Sequence, residues 1–454
     1  MNTKMEQAIA YLNDTPRFTQ KSTLGDIRKY LERFGNPHKG MKIVHVAGTN
    51  GKGSVCAYIA SILQKAGYHV GLFTSPHLID IRERMTVDGE MITEAEFLEA
   101  FDRVKEEWQS AAGDGLPHPL YFEYLFLMAM LWFGKKKPDY LVLETGLGGR
   151  LDATNAIPDK EISVITRIGL DHQTYLGDTI AQIAGEKAGI LRKDTPAVFL
   201  RDPDEAFQVI ARKADAIGAQ AVIVDDAMWE VHSADENGID FSIYNRYDKT
   251  LRVRLPLYGL YQCENAALAV TACRILLGDT ERTPSPHTAQ ILEQGLAGMV
   301  WPGRMEEILP SVYLDGAHNP DGIRAFLESA RQILLNDSRG KQRTRRFLLF
   351  SCVKDKMYRE ELRMIRESGL FTDIAAVPMA GTRALRAQEL LAEIGENARG
   401  IRVHQMDNVE DAVHRLIVHR DDDMVVFAAG SLYLIGEIRG LILTNTADGQ
   451  LSRR

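Results

Sequence analysis

The chain of 454 residues has few cysteines and no long apolar run. Its four cysteines (Cys56, Cys263, Cys273 and Cys352) are scattered, without the close pairs of metal sites, and are too few for a disulfide framework. We therefore expect them to be reduced and buried. The longest apolar run, residues 125–133, is about half the length that a membrane-spanning helix needs.

Excess positive charge and a secretory signal segment are also lacking. Residues 1–18 mix charged and apolar positions at helical spacing and have no apolar centre of the signal-peptide kind. We therefore predict a cytoplasmic protein without a membrane partner, and we expect a monomer. The net charge of −8, with no concentrated basic face, disfavours nucleic acid as the main partner. The length is too great for one core and suggests two domains, or three.

Residues 44–54 form the most informative stretch, because they combine a strand pattern, a Gly-rich turn and the start of a helix. Such a turn directs backbone N–H groups and a helix dipole at one point, with Lys52 beside them, which favours phosphate binding. The general phosphate-loop pattern is met incompletely, because Val46 replaces its first Gly and Gly53 its Ser or Thr. The hydroxyl group is displaced to Ser54. An ordinary Gly-rich turn is the less favoured alternative.

Alternating short apolar runs and helical patterns follow this turn and predict a doubly wound, mostly parallel sheet. The predicted strands are residues 42–47, 69–74, 140–145, 162–166 and 197–200. The predicted helices are residues 5–12, 24–34, 55–66, 91–108, 121–133, 206–217, 261–277 and 288–297. Residues 229–255 alternate apolar and polar positions, and we predict a β-meander at the sheet edge.

A Pro/Gly break at residues 300–304 predicts a domain boundary. Beyond it, a second α/β alternation predicts a smaller, Rossmann-like domain that lacks a phosphate loop of its own. Its predicted strands are residues 312–314, 346–351, 374–377, 401–404 and 424–428. We therefore divide the chain into residues 1–299, a linker of residues 300–305, and residues 306–454.

Polar residues follow several predicted strands, and parallel strand ends meet at one edge of a sheet. Glu144 ends such a strand and is suited to Mg²⁺, although an N-cap or a loop salt bridge is the alternative. Ser75 could supply the hydroxyl that Gly53 lacks. For His172 the residues do not rank a structural role, a general base, or a neutral ligand of a cation.

Lys187 lies among small residues at the end of a predicted helix. A cation there is stabilised by the helix dipole, and the residues alone favour this role. Small apolar neighbours also permit burial, which would lower the pKa of the amine and make it reactive.

Together these motifs resemble the folylpolyglutamate synthase/dihydrofolate synthase family of the ATP-dependent Mur ligase superfamily, as far as about residue 439. The stretches that carry the resemblance are residues 48–54, 73–78, 144–155, 168–172, 186–190 and 315–320. This family follows its loop lysine with Gly and Ser, as Gly53 and Ser54 do here. The resemblance implies a ligase that uses ATP to add L-glutamate to a folate, through an acyl phosphate, with the active site between two domains. In this family dihydropteroate is an alternative acceptor, and the sequence does not decide whether the acceptor is a folate, dihydropteroate or both.

The resemblance also implies roles for individual residues. The catalytic group is Lys52, Lys187, His172 and His318, with Lys187 carboxylated by CO₂ to a carbamate. The implied ATP contacts are Thr49, Asn50, Gly51, Lys52, Gly53, Ser54, Asn265, Arg304 and Asp315. Of two Mg²⁺ ions, one has Ser75 and Glu144 as ligands and the second lies near Glu144 and His172. The residues that border the pterin are Phe122, Glu123, Leu151, Asp152 and Ala153.

Three other functions stay open at this point. A nucleotide-dependent switch or transport ATPase would hydrolyse ATP without needing both a folate and glutamate. A folate-binding protein without activity is disfavoured by the intact Lys52, Glu144, His172 and Lys187. Another amino-acid ligase of the superfamily, such as a peptidoglycan-type enzyme, is the nearest alternative, but residues 1–41 are too short for its UDP-binding domain.

Overall fold

One eight-stranded sheet organises the N-terminal part of the chain. The computed structural model describes residues 3–15, 22–235, 238–244, 250–279, 285–336, 344–354, 356–379, 385–395 and 400–447. The strands of this sheet are Lys42–Ala47 (β1), Val70–Phe73 (β2), Met85–Val87 (β3), Glu90–Met91 (β4), Tyr140–Glu144 (β5), Ile162–Ile165 (β6), Pro196–Leu200 (β7) and Gln220–Val224 (β8). Their order is β4-β3-β2-β5-β1-β6-β7-β8, and only β3 and β4 run antiparallel to their neighbours.

Helices cover both faces of this sheet, which explains why its strands read as continuous apolar runs. In chain order they are Thr3–Asp14 (α1), Leu24–Arg33 (α2), Lys52–Lys65 (α3), Glu94–Ala111 (α4), Tyr121–Lys136 (α5), Gln173–Leu176 (α6), Ile180–Lys187 (α7), Asp204–Ile217 (α8), Tyr261–Leu276 (α9) and Pro286–Ala297 (α10). Val44 and Val46 of β1 pack with α3, α9 and α10 on one face. Ile43 packs with α1, α2, α4 and α5 on the other.

The region predicted as a meander at the sheet edge forms a separate sheet, so that prediction was wrong in its placement. Its strands are Trp229–Asp235 (β9), Gly238–Tyr244 (β10) and Thr250–Leu255 (β11), paired antiparallel in the order β11-β10-β9. Ile239, Phe241 and Ile243 alternate inward and join the same core as α3 and α9. The three strands therefore cover helices instead of extending the main sheet.

The C-terminal part of the chain contains a six-stranded sheet with helices on both faces. Its strands are Arg304–Leu309 (β12), Val312–Asp315 (β13), Arg345–Phe350 (β14), Asp373–Ala376 (β15), Arg402–Gln405 (β16) and Met424–Ala429 (β17). They lie in the order β12-β13-β17-β14-β15-β16, with β12 alone antiparallel. The helices are Pro320–Leu335 (α11), Tyr358–Glu367 (α12), Ala387–Gly395 (α13), Val409–Val413 (α14) and Leu432–Ala447 (α15).

The predicted fold class is confirmed: a doubly wound, mostly parallel sheet is followed by a smaller Rossmann-like α/β sheet. Strands β3, β4, β8 and β12 were not predicted from the sequence. Residues 304 and 305, assigned to the linker, begin β12. All four cysteines are free and buried, as expected. Among the helices formed by the described residues, none combines the length and apolarity of a membrane span.

Candidate active site

The carboxyl ends of β1, β2, β5 and β6 meet at one edge of the larger sheet and face the C-terminal domain. A pocket of about 740 Å³ lies there, lined by residues of both domains. This is the edge at which ligands bind in open α/β sheets. The polar residues that follow these strands in the sequence therefore face one common space.

The Gly-rich turn between β1 and α3 is held in place by the neighbouring strand end. The backbone N–H groups of Thr49 and Asn50 both donate to the carbonyl of Arg167, at 2.9 and 3.2 Å. Gly51 precedes α3 with a φ of 86°, and a Cβ there would overlap the Asn265 amide, so only Gly fits. The N–H groups of the first turn of α3 have no intrahelical carbonyl to bind. They face the pocket together with Lys52, as an anion-binding site requires.

Lys187 is buried behind this turn, with 4% of its surface exposed. Its amine donates to the carbonyl of Gly48 at 2.6 Å. Burial, and to a lesser extent the charge of Lys52, lower the pKa of Lys187 to about 7. A substantial fraction of the amine is therefore neutral near pH 7. Lys187 is therefore buried, as the second alternative for this lysine required, and its reactivity stays a prediction.

Glu144 and Ser75 are neighbours at the ends of β5 and β2. The N–H of Ser75 donates to Oε2 of Glu144 at 2.9 Å, and the Lys52 amine lies 4.0 Å from Oε1. Glu144 is 3% exposed, and burial raises the pKa of its carboxyl against the opposing effect of Lys52. The Glu144 carboxyl group therefore lies next to both Ser75 and Lys52.

Asp171 collects cationic and polar groups from both domains. Lys356 of the C-terminal domain forms an ion pair with it, and Nε2 of His318 lies 3.8 Å away. These partners lower the pKa of the Asp171 carboxyl despite its burial. His172 keeps 40% of its side chain exposed, yet desolvation inside the pocket is the main cause that lowers its pKa to about 4. Desolvation likewise lowers the pKa of His318 to about 4, so both rings are neutral at pH 7.

Two asparagines join the domains directly. Asn50, in the Gly-rich turn, donates to Oδ1 of Asn319 at 3.2 Å, and Asn319 donates back to Oδ1 of Asn50 at 3.0 Å. Asn319 also caps the N-terminus of α11 by accepting from the N–H of Gly322 at 2.8 Å. The Gly-rich turn and helix α11, the first helix of the second sheet, are therefore connected by reciprocal hydrogen bonds.

The remaining predicted ATP residues lie on the same pocket wall. Asp315 ends β13, is 3% exposed, and accepts a hydrogen bond from the Tyr261 hydroxyl at 2.5 Å. Its partner across the β12–β13 pair is Arg304, which lines the pocket. Asn265 projects from α9 against Gly51. Ser54 is buried in α3, where its oxygen accepts from Gln262 at 3.3 Å.

The predicted pterin residues all line the pocket, but their carboxylates already bind protein groups. Glu123 accepts from the N–H of Leu120 and from the Ser22 hydroxyl, each at 2.8 Å. Asp152 accepts from two N–H groups of the turn after β5, at 3.0 and 2.9 Å. Leu151 is 51% exposed, whereas Ala153 is buried. Phe122 packs against Gly146 of the turn that Asp152 holds.

Three features of the pocket were not predicted from the sequence: Lys356, Tyr261 and the ion pair of Arg167 with Glu264. Lys356 follows β14 as Ser75 follows β2, so the signal was a polar residue after a strand of the second sheet. Arg167 lies two residues beyond the end of β6, and both of its ion-pair partners, Glu264 and Asp202, are remote in sequence.

The oxygen donors in the pocket suit a metal ion that takes most of its ligands from water and substrate. Within the described part of the chain, no group of three or more His, Cys, Asp or Glu side chains is arranged to hold a metal ion. Mg²⁺ is commonly bound by one or two carboxylates together with waters and substrate phosphates. Glu144 with Ser75, beside an anion-binding turn, fits that pattern.

Comparison with known proteins identifies the family of the chain. Residues 120–273 match the Mur ligase middle domain, and residues 303–432 match the Mur ligase glutamate ligase domain. The chain is 34% identical to the dihydrofolate synthase/folylpolyglutamate synthase of Bacillus subtilis, over 97% of this chain and 99% of that protein. It is 31% identical to the folylpolyglutamate synthase of Lacticaseibacillus casei, over 96% and 98%.

Solved structures agree over the whole length. E. coli FolC in complex with DHPP and ADP is similar with a TM-score of 0.81 and 29% identity, over 98% of this chain and 99% of that one. Mycobacterium tuberculosis folylpolyglutamate synthase complexed with ADP gives a TM-score of 0.85 at 27% identity, over 96% and 98%. The chain therefore belongs to the folylpolyglutamate synthase/dihydrofolate synthase family, the ATP-dependent glutamate ligases of the Mur ligase superfamily.

Proposed function

We propose that the chain joins L-glutamate to the carboxylate of a folate, and of dihydropteroate as a second acceptor, in the pocket between its two sheets. The observation that carries this proposal is the meeting of Lys52, Glu144 and Lys187 with His318 and Lys356 of the other domain. Phosphoryl-transfer groups and a C-terminal glutamate ligase domain face the same space. The cytoplasmic location and the monomeric state stay predictions from the sequence.

The first chemical step is attack of the acceptor carboxylate on the γ-phosphate of ATP, which forms an acyl phosphate and releases ADP. Two anions approach each other in this step, so positive charge must lie where they meet. Lys52 and the N–H groups at the start of α3 supply it from the larger sheet. The amine of glutamate then attacks the acyl carbon, phosphate leaves, and a proton is released.

Glu144 and Ser75 would hold one Mg²⁺, and Glu144 with His172 a second. Bound there, the ions would neutralise charge on the phosphates during transfer. His172 is suited to this role because its depressed pKa, about 4, keeps the ring neutral and a lone pair available.

Lys187 is proposed to carry a carbamate formed with CO₂. Only a neutral amine reacts in this way, and the pKa of about 7 makes that form available. The product is an anion in place of a cation, beside Lys52 and close to the proposed ions. Its buried position protects it from bulk water.

The contacts between the domains support exclusion of water during the reaction. The Asn50–Asn319 pair and the Lys356–Asp171 ion pair close one side of the pocket. Water would otherwise hydrolyse the acyl phosphate before glutamate reacts. His318 and Asp315 reach the nucleotide only while these contacts hold.

The proposal is tested by measuring ADP formation by the purified chain in the presence of glutamate and either dihydropteroate or tetrahydrofolate. We expect ADP formation that requires glutamate together with at least one of these acceptors. ADP formation without any acceptor would instead indicate a switch or transport ATPase. Stimulation by neither acceptor would contradict the proposed function, and comparison of the two acceptors identifies the preferred one.

A further inference from the structure

The turn that follows Lys187 is bound by side chains from a distant segment. Helix α7 ends at Lys187, and residues 188–190 form a tight turn. The last carbonyl groups of a helix have no partner within it and must be satisfied from outside. Here the partners come from Arg192 and from residues 150–160, which include the end of the 144–155 stretch and have no role in the proposed chemistry beyond Leu151, Asp152 and Ala153.

Asn155 is the centre of this arrangement and is 3% exposed. Its Nδ2 donates to the carbonyl of Arg150 at 3.1 Å and to that of Gly189 at 3.2 Å. Its Oδ1 accepts from the amine of Lys160 at 2.8 Å and from Nη2 of Arg192 at 2.7 Å. Both donors and both acceptor positions of the amide are therefore in use.

Lys160 and Arg192 direct their other donors to carbonyl groups of the same turn. Lys160 donates to Ile190 at 2.9 Å, and Arg192 donates to Gly189 at 3.2 Å and Leu191 at 2.9 Å. Burial lowers the pKa of Lys160 to about 6, so its amine is largely neutral near pH 7, whereas the Arg192 guanidinium keeps its charge. Cations at the end of a helix are stabilised by its dipole and carbonyl groups. Carbonyl groups of this turn therefore accept hydrogen bonds from both side chains.

The two segments also approach closely along their backbones. The N–H of Arg150 donates to the carbonyl of Glu186 at 2.8 Å. A Cβ at Gly149 would lie 2.9 Å from the carbonyl oxygens of both Glu186 and Lys187. The backbone of Lys187 therefore has no freedom to shift toward residues 149–150.

We propose that Asn155, with Lys160 and Arg192, is a positioning residue that keeps the Lys187 amine against the phosphate loop. The amine contacts the carbonyl of Gly48 at 2.6 Å, which requires the backbone of Lys187 to stay fixed. The three side chains bind the residues directly after Lys187 and do not touch the pocket. The importance of Lys187 rests on the proposed function, whereas its placement can be measured without any reaction.

Competitive acetylation with trace acetic anhydride, read by peptide mass spectrometry, reports how accessible each lysine amine is. The test variants are Asn155→Ala and Arg192→Met, and the second serves if the first does not fold. The matched control is Arg28→Ala: Arg28 lies near Arg192 but donates to the carbonyl of Ala156, outside the turn. Lys52 in the same pocket is the internal reference.

We expect the labelling of Lys187 relative to Lys52 to rise about fivefold in both test variants, which is the rise expected if the hydrogen bond of the Lys187 amine to Gly48 is lost. It should stay unchanged in Arg28→Ala, and Arg192→Lys, which keeps a donating cation, should restore slow labelling. An unchanged ratio in the test variants overturns the proposal. So does an equal rise at Lys52, which would indicate general loosening. Failure of the proposed function would appear only as missing glutamate-dependent ADP formation in the unaltered chain, and the labelling ratio does not depend on it.

Discussion

Replacing Glu361 by Gln should make the protein more stable at alkaline pH and leave it unchanged in acid. Glu361 lies in the first turns of α12, is fully buried, and neither of its carboxyl oxygens has a hydrogen-bond partner. A charged carboxylate without partners is costly in such a place. Burial accordingly raises the pKa of Glu361 from 4.5 to about 7, although the charge of Lys356 opposes the change.

The size of the effect follows from that shift in pKa. One pKa unit corresponds to 1.36 kcal/mol, so ionising Glu361 in the folded protein costs about 3 kcal/mol of stability. Below pH 4.5 the residue is protonated in both the folded and unfolded states, and the free energy of unfolding is unaffected. As pH rises from 4.5 to about 7, Glu361 ionises in the unfolded state but not yet in the folded state, so the free energy of unfolding falls. Above pH 7 the loss is complete.

Glutamine has nearly the same shape and no charge at any pH. Glu361→Gln should therefore match the original protein near pH 4.5 and exceed its free energy of unfolding by about 3 kcal/mol at pH 8. Urea unfolding followed by circular dichroism at both pH values measures this difference. Glu360→Gln is the matched control, since Glu360 is 37% exposed and adjacent. Equal pH dependence in Glu361→Gln and the original protein would refute the reasoning.

Three further predictions concern the pocket. Lys52→Ala should lower ligation at least about 100-fold with an unchanged circular dichroism spectrum, because the transferring phosphoryl group loses its cation; near-normal turnover would contradict the phosphate-binding role. Lys187→Ala should strongly reduce ligase activity, and added short carboxylates should restore part of that activity in steady-state assays. Full activity of this variant would exclude the carbamate role. Lys356→Met leaves buried Asp171 without its cation, so the KM values for ATP and glutamate should rise about tenfold; unchanged constants would show that this ion pair does not stabilise closure.

Much of the parallel sheet could be predicted because each strand is buried on both faces. Strand β1 was predicted without error, and β2, β5, β6 and β7 within one or two residues. Strands β3 and β4 contain only three and two residues, too few for a hydrophobic pattern. The alternation in residues 229–255 was interpreted correctly as strands. The helices on which these strands pack were not predicted, because alternation shows that one face of a strand is buried and does not show what covers that face.

In the candidate site, too, features that depend on a continuous stretch of sequence were predicted, and contacts between residues far apart in the chain were not. A phosphate-binding role could be proposed for Lys52 because the loop that holds it is continuous in the sequence. The burial of Lys187 could not be, since Gly48, its partner, is 139 residues away. Lys356 was missed because its partner Asp171 lies in the other domain, and no local pattern indicates an ion pair across 185 residues.

The reciprocal amide pair of Asn50 and Asn319 sets a compatibility rule for exchanging domains between relatives. Each amide both donates to the other and accepts from it, so Asp at either position would remove a donor and place two acceptors face to face. A chimera that combines the larger domain of this chain with another C-terminal domain therefore needs an amide at both positions.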